Sequence, residues 1–189
     1  MSSELVLASR SPQRRAILEQ LGVRFAVVES DVEELEQGPG EHVAGENARR
    51  KAERVAERYP RSVVLGVDTI VLLDGTIYGK PADPVQARET LEALSGRTHE
   101  VISGVCVVDA GERLAATANT SVRFRSLDER MLEWYVDSGE WCERAGGYAI
   151  QGRGAALVSA IDGDYLNVVG LPVATLLGLI PGLVTDFPV

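Results

Sequence analysis

"SVVLGVDTIVLLDGTIYGK", residues 62–80, decides the fold. Val63 to Leu73 is a mostly β-branched and aliphatic run, and Asp74-Gly75 before Thr76-Ile77-Tyr78 is a short hairpin signal, because a two-residue turn of this kind needs positive φ at both positions. A run with so little polar alternation belongs to a central strand covered on both faces. Asp68 and Thr69 interrupt it. A charge is rarely buried without a partner, so Asp68 either stands at an exposed strand end or is held by a cation or a metal. Lys80 follows the hairpin, so the returning strand is expected to bring it to the same edge of the sheet as Asp68. Lys51 and Glu34 offer a further cation and carboxylate from flanking elements.

Upstream, Val6, Leu7 and Ala8 form a short strand that ends at Ser9. Ser11-Pro12 then supplies an N-cap followed by proline at the first helical position, where its missing N–H costs nothing. Ile17, Leu18 and Leu21 share a face of that helix, and Gly22 is placed to end it. A strand is expected over 24–30, an acidic loop over 31–41 and a helix over 46–59. In that helix Ala48, Ala52, Val55, Ala56 and Tyr59 form the buried stripe, leaving Arg49, Arg50 and Lys51 to the other faces.

Downstream, Asp83-Pro84 repeats the cap-plus-proline start of a helix that Gly96 terminates. Residues 99–125 make a long hairpin turning at Ala110-Gly111, 127–139 an amphipathic helix, and Pro172 opens a last apolar helix. Strands and helices interleave, so the class is α/β, and the hairpins exclude a purely parallel doubly wound sheet. No repeat or linker divides the 189 residues, which are expected to form one domain over 1–189.

Composition is ordinary for a globular protein, with 45% hydrophobic and 25% charged residues. No run approaches the about 18 to 20 apolar residues of a membrane span, and "MSSELVLAS" lacks the basic flank and apolar core of a signal peptide. A cytoplasmic protein without membrane contact is expected. Cys106 and Cys142 have no nearby partner at metal-ligand spacing and read as free thiols. His42 and His99 lie too far apart to furnish an obvious histidine-based nucleophile device, so a carboxylate is the expected general base. A net charge of −9 speaks against nucleic acid as a partner, because that binding rests on a basic surface.

Against this acidic background "SRSPQRR" and "ARRKAER" are local basic clusters. A strand running through a serine-rich turn into a helix offers unpaired N–H groups and the positive end of the helix dipole, a natural phosphate site. Arg14 and Arg15 point about 100° apart on a helix, so one of them faces the turn. Neither a Walker A nor a GxGxxG pattern is present. The turn is therefore either an anion cradle or a capped connection with a solvated basic flank.

The motifs "LASRSPQRRAILEQLG", "ESDVEE", "ENARRKA", "GVDTIVLLDGTIYGKP", "LEALSGRTHEVISGV", "AGGYAIQGRGA" and "IDGDYLNVVGLP" occur in an order and spacing that resemble the Maf family of nucleoside triphosphate pyrophosphatases over nearly the whole chain. The resemblance implies a mixed, elongated, twisted sheet flanked by helices, with two lobes around a central cleft. It implies hydrolysis of a nucleoside triphosphate to NMP and pyrophosphate with a divalent cation (Mg2+, Mn2+ or Co2+), and a homodimer. Carried over by position, it places Ser9, Arg14, Lys51 and Lys80 around the triphosphate, makes Asp68 the general base, and gives the metal to Glu34 and Asp68. Thr69 and Gln151 resemble the branch acting on dTTP and UTP, which usually carries arginine where this chain has Gln13. Gln13 supplies neither a fixed charge nor a donor fork, so base preference is expected to be looser or altered. Two alternatives stay open: a nucleotide-binding regulator of septum formation without turnover, and a house-cleaning pyrophosphatase for noncanonical purine triphosphates. Glu34, Lys51, Asp68 and Lys80 together favour turnover over binding alone.

Overall fold

The structure, a computed structural model, describes residues 4–189. Strand β1 (Leu5–Leu7) leads through the Ser9–Ser11 turn into helix α1 (Pro12–Gln20). Ser11 Oγ accepts from the Arg14 N–H at 3.5 Å, and Pro12 occupies the first turn as its fixed φ requires. Strand β2 (Phe25–Val27) is shorter than expected. Helix α2 (Gly40–Ala56) begins at Gly40 rather than Glu46 and stops before Tyr59, which is exposed. The glycines and proline of 38–45 read as loop in isolation, but a Cβ on Gly40 would lie 2.9 Å from Ile102 Cδ1, so the helix starts where only a bare backbone fits against the sheet.

Strand β3 (Val63–Leu73) turns at Asp74-Gly75, with φ of 50° and 80°, into β4 (Thr76–Tyr78). Helix α3 (Pro84–Leu94) is capped by Asp83. The long hairpin follows as β5 (Thr98–Asp109) and β6 (Glu112–Phe124), turning at Ala110-Gly111. Helix α4 (Glu129–Val136), short 3-10 turns at Ala145–Gly147 and Gly152–Ala156, β7 (Val158–Asp162), α5 (Tyr165–Val169), α6 (Val173–Leu179) and α7 (Leu183–Asp186) complete the chain.

The sheet has seven strands in the order β2-β1-β3-β5-β6-β7, with β4 hairpinned onto β3. β1 is parallel to β2 and β3, and every other pair is antiparallel, so the sheet is mixed as the hairpins required. β3 carries the architecture. Its residues 63–65 pair with β1 and its residues 71–73 with β4, while 66–70 have β5 on one side and no strand register on the other. The sheet is thus notched in the middle of its central strand.

Side chains alternate across β3, and each face is covered differently. On one face Val63, Leu65 and Val67 pack with Leu5, Leu7, Leu18, Val105 and Leu176 in one core, while Val71 and Leu73 pack with Leu91, Val101, Phe124 and Tyr135 in another. Thr69 and its register partner Ser103 separate the two, their hydroxyl oxygens 2.8 Å apart. These are the two lobes, and they part where the apolar row turns polar.

On the other face α2 crosses β3 and β5. Its Ala48 and Ala52 share a core with Val64 and Cys106, and its Val43 and Ala44 share another with Ile70 and Ile102. A Cβ on Gly66 would lie 2.3 Å from the Ala48 carbonyl oxygen, and one on Gly104 would lie 2.2 Å from that of Ala44. Glycine at these two strand positions is what lets the helix backbone rest on the sheet. Among the described residues no helix is long and apolar enough to cross a membrane.

Candidate active site

A cleft of about 1620 Å³ opens at the notch, and Ser9, Gln13, Arg14, Glu34, Lys51, Asp68, Thr69, Lys80 and Gln151 all line it. The site lies beyond the carboxyl end of β1, where the parallel pairing of β3 gives way to antiparallel pairing, as open α/β sheets favour.

Asp68 is buried, 6% exposed, so the exposed-strand-end reading is excluded and the held-by-a-cation reading stands. The cation is Lys51. Its Nζ donates to Asp68 Oδ1 at 2.6 Å and lies 2.8 Å from Glu34 Oε1. Lys51 therefore does not sit on a solvated helix face as the spacing suggested. It lies in the sheet-facing row with Asn47, Ala48, Ala52 and Val55, which the close packing over Gly66 and Gly104 brings down onto Asp68.

Asn47, one turn before Lys51, was not distinguishable in sequence from a helix-surface asparagine. Its Nδ2 donates to Asp68 Oδ2 at 3.1 Å and to the Leu35 carbonyl at 3.0 Å, and its Oδ1 accepts from the Leu35 N–H at 2.7 Å. One side chain thus orients the Asp68 carboxylate and pins the acidic loop that carries Glu34. In sequence the i, i+4 spacing of Asn47 and Lys51 says only that the two share a helix face.

Of the arginines around the first turn, Arg14 alone is buried, while Arg10 and Arg15 are exposed. Arg14 donates to Ser9 Oγ at 2.9 Å, Thr69 Oγ1 at 3.1 Å and the Gly170 carbonyl at 2.9 Å. All three partners are neutral. Burial pulls its pKa below the ordinary value, while Asp68 and Glu34 act in the opposite direction, and the guanidinium stays charged. A buried cation whose direct partners carry no charge leaves its field to an anion at the turn. Gln13 Oε1 accepts from Ser11 Oγ at 3.1 Å, at the edge of the same turn.

Lys80 reaches the cleft from the opposite side and does not join Asp68. It donates to Glu143 Oε2 at 3.0 Å, and the two side chains are 59% and 84% exposed. Hydrogen bonding to Lys80 holds Glu143 below the usual carboxylate range. Gln151 is exposed at the start of the 3-10 turn Gly152–Ala156, beside the buried Ile150. Tyr148 lines the cleft on that side, with His99 behind it, Nε2 to Oη 2.8 Å.

Among the described residues no three or more His, Cys, Asp or Glu side chains converge on one point. Glu34 and Asp68 do present one oxygen each to a common position, the one the Lys51 ammonium takes. Of the two free thiols, Cys106 is buried, which pushes its pKa up to about 11, and Cys142 is exposed in the lining of the cleft.

The fold and site define a mixed α/β protein with a cleft, lined by the buried Arg14, Lys51 and Asp68, between two lobes of one sheet. The profile of the family described as Maf-like protein matches residues 4–183, and the chain belongs to the Maf family. It is 48% identical over 172 residues to a dTTP/UTP pyrophosphatase of Symbiobacterium thermophilum, covering 89% of this chain and 88% of that protein. Proteins of the same name from Pyrococcus furiosus and Deinococcus radiodurans are 43% and 42% identical, covering 94% of this chain in each case and 94% and 92% of their own lengths.

Proposed function

We propose that the cleft hydrolyses nucleoside triphosphates between the α and β phosphates, releasing NMP and pyrophosphate, with dTTP and UTP as the preferred substrates. The observation that carries this reading is Asp68: a carboxylate buried in mid-strand, oriented by Lys51 and Asn47, and opening onto a cleft with a buried Arg14 on its other side. The relatives named dTTP/UTP pyrophosphatase support the same chemistry.

The triphosphate lies over the turn after β1, bound by the positive end of the α1 dipole, by the field of Arg14, and by Lys51 and Lys80 from the two walls. Asp68 accepts a proton from a water as its oxygen attacks the α phosphorus. The bond from that phosphorus to the bridging oxygen breaks, and pyrophosphate leaves. Ser9 and Thr69 hold the Arg14 guanidinium in place by accepting its N–H groups.

A divalent cation would fit the donor set of Glu34 and Asp68 once the Lys51 ammonium, which holds the point they share, turns to the phosphates, since ions such as Mg2+ take one or two carboxylates and complete their shell with water and phosphate oxygens. Those two residues would hold it, and when bound it supplies neutralisation of the charge that develops on the phosphates. Thr69 and Gln151 face the nucleoside end of the substrate, with Gln13 where the pyrimidine branch usually has arginine.

Pyrophosphate release from a panel of canonical and modified triphosphates with Mg2+, Mn2+ or Co2+, run beside Asp68→Asn, tests the reading. The wild type turns over dTTP and UTP, and the variant loses roughly 10²–10⁴-fold in kcat while staying folded. Variant activity within tenfold of wild type would remove Asp68 as the base. No release from any nucleotide would leave a binding protein.

A further inference from the structure

The side of the cleft that bears Gln151 is exposed, yet its backbone is tied down from beneath. Ile150 is buried in the core that also holds Val71, Leu91 and Tyr135. The Ala149 N–H donates to Tyr135 Oη at 3.0 Å. On the far side of Gln151 the half-buried Glu140 accepts from the Arg153 N–H at 2.8 Å and 3.1 Å with its two oxygens, and from the Gly154 N–H at 3.3 Å. Gly152 has φ of +66°, and a Cβ there would lie 2.8 Å from Glu140 Oε1. The carboxylate fills the space that any larger residue would need. Gly154 doubles back so closely that its Cβ would lie 1.8 Å from the Ala149 carbonyl oxygen.

Glu140 itself does not line the cleft. It follows α4, outside the phosphate machinery, and its carboxylate accepts from backbone N–H groups of the turn that begins at Gln151. Charge-assisted bonds of this kind are stronger than neutral ones and fix backbone position. From this geometry we propose that Glu140 is the positioning residue for base recognition: its carboxylate sets the turn 152–154 and thereby where the Gln151 amide stands in the cleft. The inference rests on the reading of Gln151 as a base contact.

The test is a double-mutant cycle in the full-length protein with Glu140→Ala, Gln151→Ala and the pair, measuring kcat and KM for UTP, dTTP, CTP and GTP. Glu140→Ala raises KM for UTP and dTTP roughly tenfold, leaves kcat within about twofold, and narrows the preference over CTP and GTP. In the Gln151→Ala background it has little further effect. Glu140→Asp keeps the charge but withdraws the carboxylate by one methylene; it gives the same loss at smaller size and serves where the alanine variant is too unstable to assay. Glu140→Gln keeps one acceptor for the turn and recovers most of the preference. Equal losses on all four nucleotides, a loss carried by kcat, or additive effects of the two substitutions would overturn the proposal. Turnover by the wild type is the control that separates this outcome from failure of the pyrophosphatase reading.

Discussion

Lys51 and Lys80 stand on opposite walls of one cleft and share little beyond their charge. Lys51 has 10% of its side chain exposed and bridges Asp68 and Glu34, whereas Lys80 is 59% exposed and pairs with a glutamate that is 84% exposed. A buried ion pair is expensive to form and more expensive to break, because removing one partner strands the other charge in low dielectric. An exposed pair is screened by water and contributes little. The inner wall is thus built as part of the fold, and the outer wall is free to meet what enters.

The largest effect that would sharpen this contrast is Lys51→Met, which leaves Asp68 buried with the Asn47 amide as its remaining hydrogen-bond partner. It is expected to cost on the order of 3 kcal/mol, or a Tm drop of roughly 10 °C by calorimetry, together with most of the turnover. An unchanged Tm would place Lys51 among the merely adjacent groups and break the comparison.

The outer wall has a buried footing, and pH reaches it. His99 is 1% exposed, contacts Tyr148 and Phe124 edge-on, and burial lowers its pKa from 6.5 to about 4. The native ring therefore stays neutral while the unfolded chain takes up a proton below pH 6.5. The associated stability is fully present above about pH 6.5 and is lost as pH falls toward 4, by on the order of 3 kcal/mol in total. Urea melts at pH 7.5 and pH 5 should show part of this loss, and His99→Gln should flatten the difference. Equal slopes for the two proteins would show that His99 is not the group responsible.

Lys80→Ala is the outer-wall counterpart of the Lys51 variant. It is expected to raise KM for the triphosphate about tenfold with Tm within about 1 °C of wild type, because its pair is solvated. A Tm shift as large as that of Lys51→Met would erase the distinction between the walls. Gln13→Arg is the smallest change: a fixed charge and donor fork at the edge of the turn should move kcat/KM toward dTTP and UTP by a few-fold. An unchanged substrate profile would put base preference elsewhere in the cleft.

Much of this was legible before any coordinates. The cap-plus-proline starts at Ser11-Pro12 and Asp83-Pro84, the hairpin turns at Asp74-Gly75 and Ala110-Gly111, and the mixed sheet all follow from local rules that involve a few neighbouring residues. The same holds for the inference that Asp68 must have a partner, since one charge in an apolar run is enough to demand it. The candidate residues, to which the order of the motifs pointed and no single motif did, all line one cleft.

Tertiary structure decided which cation Asp68 holds, where α2 begins, and that Asn47 and Glu140 are more than surface polar groups. Lys51 and Asp68 are 17 residues apart, and Glu34 lies on a loop before the helix, so their meeting depends on how α2 lies across β3 and β5. That placement is set by Gly66 and Gly104, whose missing side chains admit a helix backbone. Periodicity assigns residues to faces of one element, but it carries no information about which element will pack against that face. Local sequence therefore determined the elements and the need for a partner, and packing across the sheet chose the partner.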